Sequence, residues 1–180
     1  MFTSVSSGRL EEPADAENTF PARSMTEDDR VGKQLRIVEV TGETEDAWRQ
    51  IHNTIIPASP LSADEVRERR KVNLLTLAYA GDDLVGNATV RSPTDNSDTR
   101  TVIVRILPEF RERGFGTDYL AQMLEHARQL GSRRIETVVL VANVDGLRFA
   151  VGNGFREIDR YVVEGAEYVD LALLPEDART

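Results

Sequence analysis

Arg111-Glu112-Arg113-Gly114-Phe115-Gly116-Thr117 joins a β-branched run, TVIVRIL (residues 101–107), to a long amphipathic segment, TDYLAQMLEHARQLG (residues 117–131). Read outward, the first flank is a strand and the second a helix. Gly114 and Gly116 let the backbone between them approach a ligand closely. Several amides then point into one space at the positive end of a helix dipole, which is an anion site. Arg111 and Arg113 add bidentate donors suited to phosphate, and a pyrophosphate is the natural guest. Two familiar nucleotide loops are excluded. The dinucleotide fingerprint needs a third glycine, and G-x-x-x-x-G-K-[ST] occurs nowhere in the chain.

The remaining segments fall into place around this turn. Upstream, QLRIVEV (34–40) reads as a first strand. A helix follows, with Thr44 as its N-cap and Trp48, Ile51 and Ile55 on one face. Pro57 and Pro60 break it within IIPASPLS. Ser62 caps a second, charged helix, with Glu65 at the capping-box position. LLTLAYA and LVGNATVR form a hairpin about AGDD, and SPTDNSDT is a polar loop before TVIVRIL. The long helix presents Leu120, Met123, Leu124, Ala127 and Leu130 as its apolar face and stops at Gly131. IETVVLVAN is the most continuous apolar strand, expected in the middle of a sheet covered on both faces. A short helix, GLRFAVG, leads to Gly154-Phe155, and FREIDRYVVEG and EYVDLALL are two last strands. The order β-α-α-β-β-β-α-β-α-β-β predicts a mixed α/β domain over residues 34–180, one sheet with helices on both faces. Residues 1–33 read as a flexible tail rich in Ser, Pro, Glu and Asp, and patterning begins just after Met25, a candidate start.

Composition narrows the function classes. The chain of 180 residues carries a net charge of −9 and has no cysteine. A disulfide framework, a thiolate nucleophile and a cysteine zinc site are therefore excluded. The acidic balance argues against nucleic-acid binding and leans at long range toward cationic ligands. No run approaches the length of a membrane span, and the first residues lack a signal-peptide core, so the cytoplasm is the expected location. Two histidines without clustered carboxylates predict no metal site.

A strand, R-x-x-G-x-G, a helix, a buried strand ending in Asn143 and a short helix closing on Gly154-Phe155 together resemble the GNAT superfamily of acyl-CoA-dependent N-acyltransferases. The resemblance is specific from Thr101 to Phe155 and extends in topology from Gln34 to Leu174. Arg111, Gly114 and Gly116 match the family's pyrophosphate signature, and Asn143-Val-Asp-Gly146 stands where many members read Asn-x-x-Ala. The resemblance implies a mostly antiparallel sheet that splays between its fourth and fifth strands, with acetyl-CoA as the acyl donor. It implies a cofactor site of Val104, Ile106, Arg111, Arg113, Gly114, Phe115, Gly116, Thr117 and Asn143. Pantetheine would pair with backbone from Val104 to Ile106, and an amide near Ile106 would polarise the thioester carbonyl.

The chain departs from the family at two positions. A tyrosine that serves many members as the acid stands four residues before the closing Gly-Phe, and here that position is Ala150, beside Phe149. The strand TVIVRIL also lacks the carboxylate that many members place there. His126 reads as a solvated helix residue and His52 as packing against Trp48. Tyr119 and Tyr161 are candidate donors, and Glu136 reads as a solvated strand end. The catalytic acid and base are thus unassigned. The resemblance implies N-acetyl transfer to a primary amine of a small, cationic acceptor, or to a protein amine. The alternative from another class is an acyl-CoA-binding module without turnover. A third reading is an α/β domain for another phosphate ligand. The C-terminal strands offer edges for a homodimer.

Overall fold

The computed structural model describes residues 34–93 and 97–174. The expected tail, residues 1–33, and the expected start at Met25 lie outside the described residues, as do residues 94–96 of the polar loop. The elements run β1 (Leu35–Glu39), α1 (Glu45–Ile55), α2 (Ala63–Val72), β2 (Asn73–Ala80), β3 (Asp83–Arg91), β4 (Thr99–Ile106), a 3-10 turn (Pro108–Phe110), α3 (Phe115–Gln129), β5 (Arg134–Leu140), α4 (Val144–Gly152), β6 (Phe155–Val163) and β7 (Ala166–Leu173). This is the order that the sequence predicts.

Alternation along β2 sets the layers, because successive side chains point to opposite faces. Leu75 and Leu77 join Trp48, Ile51, Leu61 and Val66 in a core under α1 and α2. Leu74, Ala78 and Ala80 pack on the opposite face, into the core that holds Tyr119, Leu120, Met123 and Leu124 of α3. The helices therefore cover both faces. Ser62 accepts from the Glu65 amide while Glu65 accepts from the Ser62 amide, a complete capping box that starts α2. Thr44 sits at the N-cap of α1, but its hydroxyl accepts from the Thr41 amide at 2.9 Å and bonds no amide within the helix.

The seven strands lie in the order β1-β2-β3-β4-β5-β7-β6. Every neighbouring pair is antiparallel except β4–β5. That parallel pair extends only over Thr99–Thr101 against Arg134–Glu136. Beyond it β4 continues to Ile106 along β3, and β5 continues to Leu140 along β7. The sheet opens between them, as the splay expected between the fourth and fifth strands requires.

Three local expectations change. Residues 138–140 of β5 are only half-buried, because the opening leaves them facing a cleft on one edge. Leu130 is 47% exposed, since it lies at the end of α3, beyond the last turn that meets the sheet. Of the two C-terminal strands only β6 is an edge, because β7 inserts between β5 and β6.

Candidate active site

The loop from β4 to α3 is built for a bend. Glu112 and Gly114 both adopt positive φ, 59° and 87°. The left-handed conformation costs a non-glycine residue roughly 1–2 kcal/mol, so Glu112 stores strain and Gly114 avoids it. The helix begins two residues earlier than the sequence pattern indicates, at Phe115, with Gly114 as its N-cap. The first amide satisfied within α3 is that of Asp118, which donates to the Gly114 carbonyl at 3.1 Å. The amides of Phe115, Gly116 and Thr117 are the orphan donors of the first turn. They open on a cleft of about 400 Å³ lined in part by Arg111, Gly114, Gly116 and Thr117. Gly116 is needed for space as well: a Cβ there would lie 3.2 Å from the Phe149 ring.

The other wall of the cleft is the free edge of β4. Residues along a strand direct their backbone groups alternately to the two sides. The Leu107 amide donates to the Val85 carbonyl on β3 at 2.9 Å, so Ile106 and Val104 direct theirs into the opening. One bond confirms the direction, since Arg111 Nε donates to the Ile106 carbonyl across that space at 3.1 Å. The Ile106 amide therefore faces the cleft. Asn143 closes the far side as the N-cap of α4, its Oδ1 accepting from the Gly146 amide at 3.0 Å. That bond leaves Nδ2 as its donor. A Cβ at position 146 would lie 2.4 Å from that Nδ2, so glycine at the usual alanine position preserves the cap's close fit.

Seven of the nine expected cofactor residues line this cleft: Val104, Ile106, Arg111, Gly114, Gly116, Thr117 and Asn143. Arg113 and Phe115 do not. Arg113 turns back, donating to the Glu109 carbonyl at 2.7 Å with its guanidinium over the Phe110 ring. The Phe115 side chain is buried in the core, and only its amide belongs to the anion turn.

A second cleft, of about 660 Å³, continues from the first. Val104, Arg105, Arg111, Asn143, Gly146 and Phe149 line both. It lies over β4 and β5 under the Ile56–Leu61 loop. Ala150 lines it where the tyrosine acid is expected, and neither it nor Phe149 can donate a proton. Tyr119 is fully buried and bonded to Thr76 Oγ1 at 2.6 Å, with its hydroxyl pKa pushed up by burial, so it is a core residue. Tyr161 does line the second cleft, and its hydroxyl donates to Asp170 Oδ1 at 3.1 Å. Burial and the Asp170 carboxylate both raise the Tyr161 pKa. His126 and Glu136 line neither cleft, and Glu136 pairs with Arg134 at 2.6 Å.

His52 is buried, stacks on Trp48 with ring centroids 5.5 Å apart, and lines the second cleft. Its Nε2 lies 3.2 Å from the Ser59 carbonyl, which only an N–H satisfies, so the neutral ring carries its hydrogen there. Burial, with Arg105 nearby, lowers its pKa from 6.5 to about 4. Such a base is too weak to take a proton from an ammonium group. The folded state holds the ring neutral while the unfolded chain protonates it. Its contribution to stability is therefore complete above about pH 6.5 and is lost as pH falls through about 4. An NMR titration should place the His52 midpoint near 4, and a midpoint at the ordinary 6.5 would contradict this burial.

Sequence reasoning missed Arg69, Arg91 and Arg105, all of which line the second cleft. A signal existed for Arg105, the one charge within the apolar run VIVRIL (102–107). Among the described residues no group of three or more His, Asp or Glu side chains is placed to hold a metal ion. No described helix is long and apolar enough to cross a membrane.

Comparison with known proteins agrees with the geometry. The structure is similar to the ribosomal-protein-S18-alanine N-acetyltransferase of Escherichia coli, with a TM-score of 0.65, 16% identity, and 78% of this chain and 93% of that chain covered. It is similar to an N-acetyltransferase from Staphylococcus aureus, with a TM-score of 0.65, 16% identity, and coverage of 78% and 98%. It is also similar to a Bacillus subtilis acetyltransferase solved with CoA, with a TM-score of 0.59, 21% identity, and coverage of 78% and 98%. At these identities the likeness establishes the fold. No curated protein matches the chain in sequence. The model of the acetyltransferase (GNAT) family matches residues 39–155, well over half of the chain. The chain belongs to the acetyltransferase (GNAT) family.

Proposed function

We propose that the protein is an N-acetyltransferase, moving the acetyl group of acetyl-CoA to a primary amine of a small acceptor by direct transfer. The observation that carries this reading is the opening between β4 and β5 beside the orphan amides of α3. Arg111 and those amides suit the pyrophosphate, and the free edge at Val104 and Ile106 suits the amide groups of pantetheine. The Bacillus subtilis relative, solved with CoA, supports the choice of cofactor. In the transfer, the neutral amine nitrogen attacks the thioester carbonyl carbon and the C–S bond breaks. The Ile106 amide is placed to stabilise charge on the carbonyl oxygen. The nitrogen's surplus proton leaves to water or to the departing thiolate. With a thiol pKa of about 8.5, a thiolate leaves without prior protonation, so Ala150 does not forbid turnover. Holding both reactants in one channel supplies much of the rate. Ile158, Val162 and Val163, exposed on edge strand β6, are the surface a homodimer would use.

A second reading, acyl-CoA binding without turnover, draws on the absence of a proton donor at Ala150 and Phe149. Release of free thiol from acetyl-CoA across a panel of primary amines separates the two. Amine-dependent release supports transfer. Acetyl-CoA binding with no release from any amine supports the binding module.

A further inference from the structure

The acceptor side of the channel has a charge opposite to that of the chain. Arg69, Arg91, Arg105 and Arg111 line the second cleft, and among the described residues no Asp or Glu lines it. None of the four has an ion-pair partner among the described residues. No carboxylate of the described residues lies within salt-bridge distance of Arg69, Arg91 or Arg105, although eight other basic side chains form such pairs. Asp170, the carboxylate whose field reaches Arg91, is engaged by the Tyr161 hydroxyl.

The three arginines converge for a reason of register. Asn87 donates to the Trp48 carbonyl at 2.9 Å, which fixes Asn87, Thr89 and Arg91 on the α1–α2 face of β3. Arg105 pairs with Asn87 across the ladder and shares that face, its guanidinium 6.0 Å from the Trp48 ring. Arg69 comes from α2 above. Arg105 Nη1 is buried with no hydrogen-bond partner. Burial, then the charges of Arg91 and Arg69, lower the Arg105 pKa to about 10, so it remains cationic at neutral pH. Arg91 is lowered as well, by burial and by Arg69. A water between Arg105 and the unpartnered Oδ1 of Asn87 would satisfy one donor. It would leave the charge uncompensated. The Trp48 ring lies at the outer limit for a cation–π contact and compensates little. Arg69 and Arg91 are exposed to the cleft and Arg105 is half-buried, its Nη1 fully so; a desolvated cation without a counter-ion is costly and becomes an asset when an anion arrives.

We propose that the acceptor is an amine carrying an oxyanion, of the amino-acid or aminoalkyl-phosphonate type, with the oxyanion held by Arg69, Arg91 and Arg105 and the amine directed at the β4–β5 opening. This rests on the transferase reading for the role of the amine, but the anion site stands on its own geometry. It replaces the cationic acceptor that the net charge favours, because charges lining a cleft outweigh a distant, screened total. The planar guanidinium forks suit carboxylate and phosphoryl oxygens alike.

Product analogues test the site without turnover. The protein saturated with CoA is titrated calorimetrically with the N-acetyl derivatives of glycine, alanine, aspartate and glutamate, with the same compounds carrying every carboxyl as an amide, and with N-acetyl-2-aminoethylphosphonate and its neutral diethyl ester. At least one free acid or the phosphonate should bind roughly 10- to 100-fold more tightly than its uncharged counterpart, the scale of lost hydrogen bonds to a charged group. Arg105→Met and Arg91→Met, each checked for an unchanged melting profile, should erase that preference, and Arg105→Lys should restore part of it. Tighter binding of the phosphonate than of every carboxylate would identify a phosphoryl group as the natural anion. Equal binding of acids and amides, or binding of neither, overturns the proposal. Thiol release is read separately. Release with uncharged amines alone sinks the anionic acceptor and keeps the transferase, whereas acid binding with no release from any amine keeps the anion site and sinks the transferase.

Discussion

Gly114→Glu should abolish acetyl-CoA binding while leaving the fold intact. The position has a φ of 87°, and a Cβ added there meets nothing within 4 Å. The new side chain is therefore accommodated at the cost of left-handed strain, roughly 1–2 kcal/mol. A carboxylate at the N-terminus of α3 recovers part of that through the helix dipole, typically about 0.3–1 kcal/mol. The free protein should thus melt within a few degrees of the parent, on the order expected of a small domain losing about 1 kcal/mol. The bound state fares differently. The carboxylate occupies the space before the amides of Phe115, Gly116 and Thr117, where the pyrophosphate would sit. Like charges at such distance cost several kcal/mol, so affinity should fall by roughly 100-fold or more. Calorimetric titration of parent and variant, with thermal melts beside it, checks both halves. A variant that binds acetyl-CoA normally would place the pyrophosphate elsewhere.

Trp48→Ala should produce the largest loss of stability of any single truncation in α1. Trp48 is 1% exposed and is the largest side chain in the core under α1 and α2. Its Nε1 donates to the Ala88 carbonyl at 3.0 Å, which ties α1 to β3. Truncation removes the ring, leaves a cavity and loses the hydrogen bond to Ala88, for a cost of about 3–5 kcal/mol. Urea denaturation measures it. The damage also reaches the second cleft, because His52 loses the ring it stacks on and Arg105 a ring beside its guanidinium. Acetyl-CoA, proposed to lie along the free edge of β4, should bind with nearly unchanged affinity under conditions where the variant is folded. A loss below about 1 kcal/mol would show that the site collapses freely around the missing ring.

The fold was legible because its punctuation is chemical. Ser62 and Glu65 form a reciprocal cap, Gly131 takes the positive φ that ends α3, and Gly114 takes the one that begins it. These positions fix boundaries whatever the partners of the helices. The cofactor turn was legible for the same reason, since a glycine-rich strand-to-helix turn implies orphan amides before any contact is known. The direction of single side chains was not. Arg113 folds back on Glu109 and Phe115 enters the core, two outcomes that depend on neighbours the local sequence does not specify.

The charge of the acceptor cleft was hidden for a different reason. Arg69, Arg91 and Arg105 come from α2, β3 and β4, and only the register of β3 on β4 and the packing of α2 bring them together. Net charge cannot report such a convergence. The total of −9 counts every charge wherever it lies, while the arginines act at the short range where screening is weak. The exclusion of β6 from the inner sheet follows the same logic. The sequence contains two terminal strands, and tertiary pairing alone decides which of them is the edge.

Calorimetric titration of the unmutated protein with acetyl-CoA asks whether this channel takes an acyl-CoA donor. An acyl-CoA site here should bind one molecule per chain with a dissociation constant in the micromolar range, roughly 8 kcal/mol of binding free energy. No heat of binding at concentrations near a millimolar would contradict it, since the orphan amides, Arg111 and the free edge of β4 would then serve another ligand.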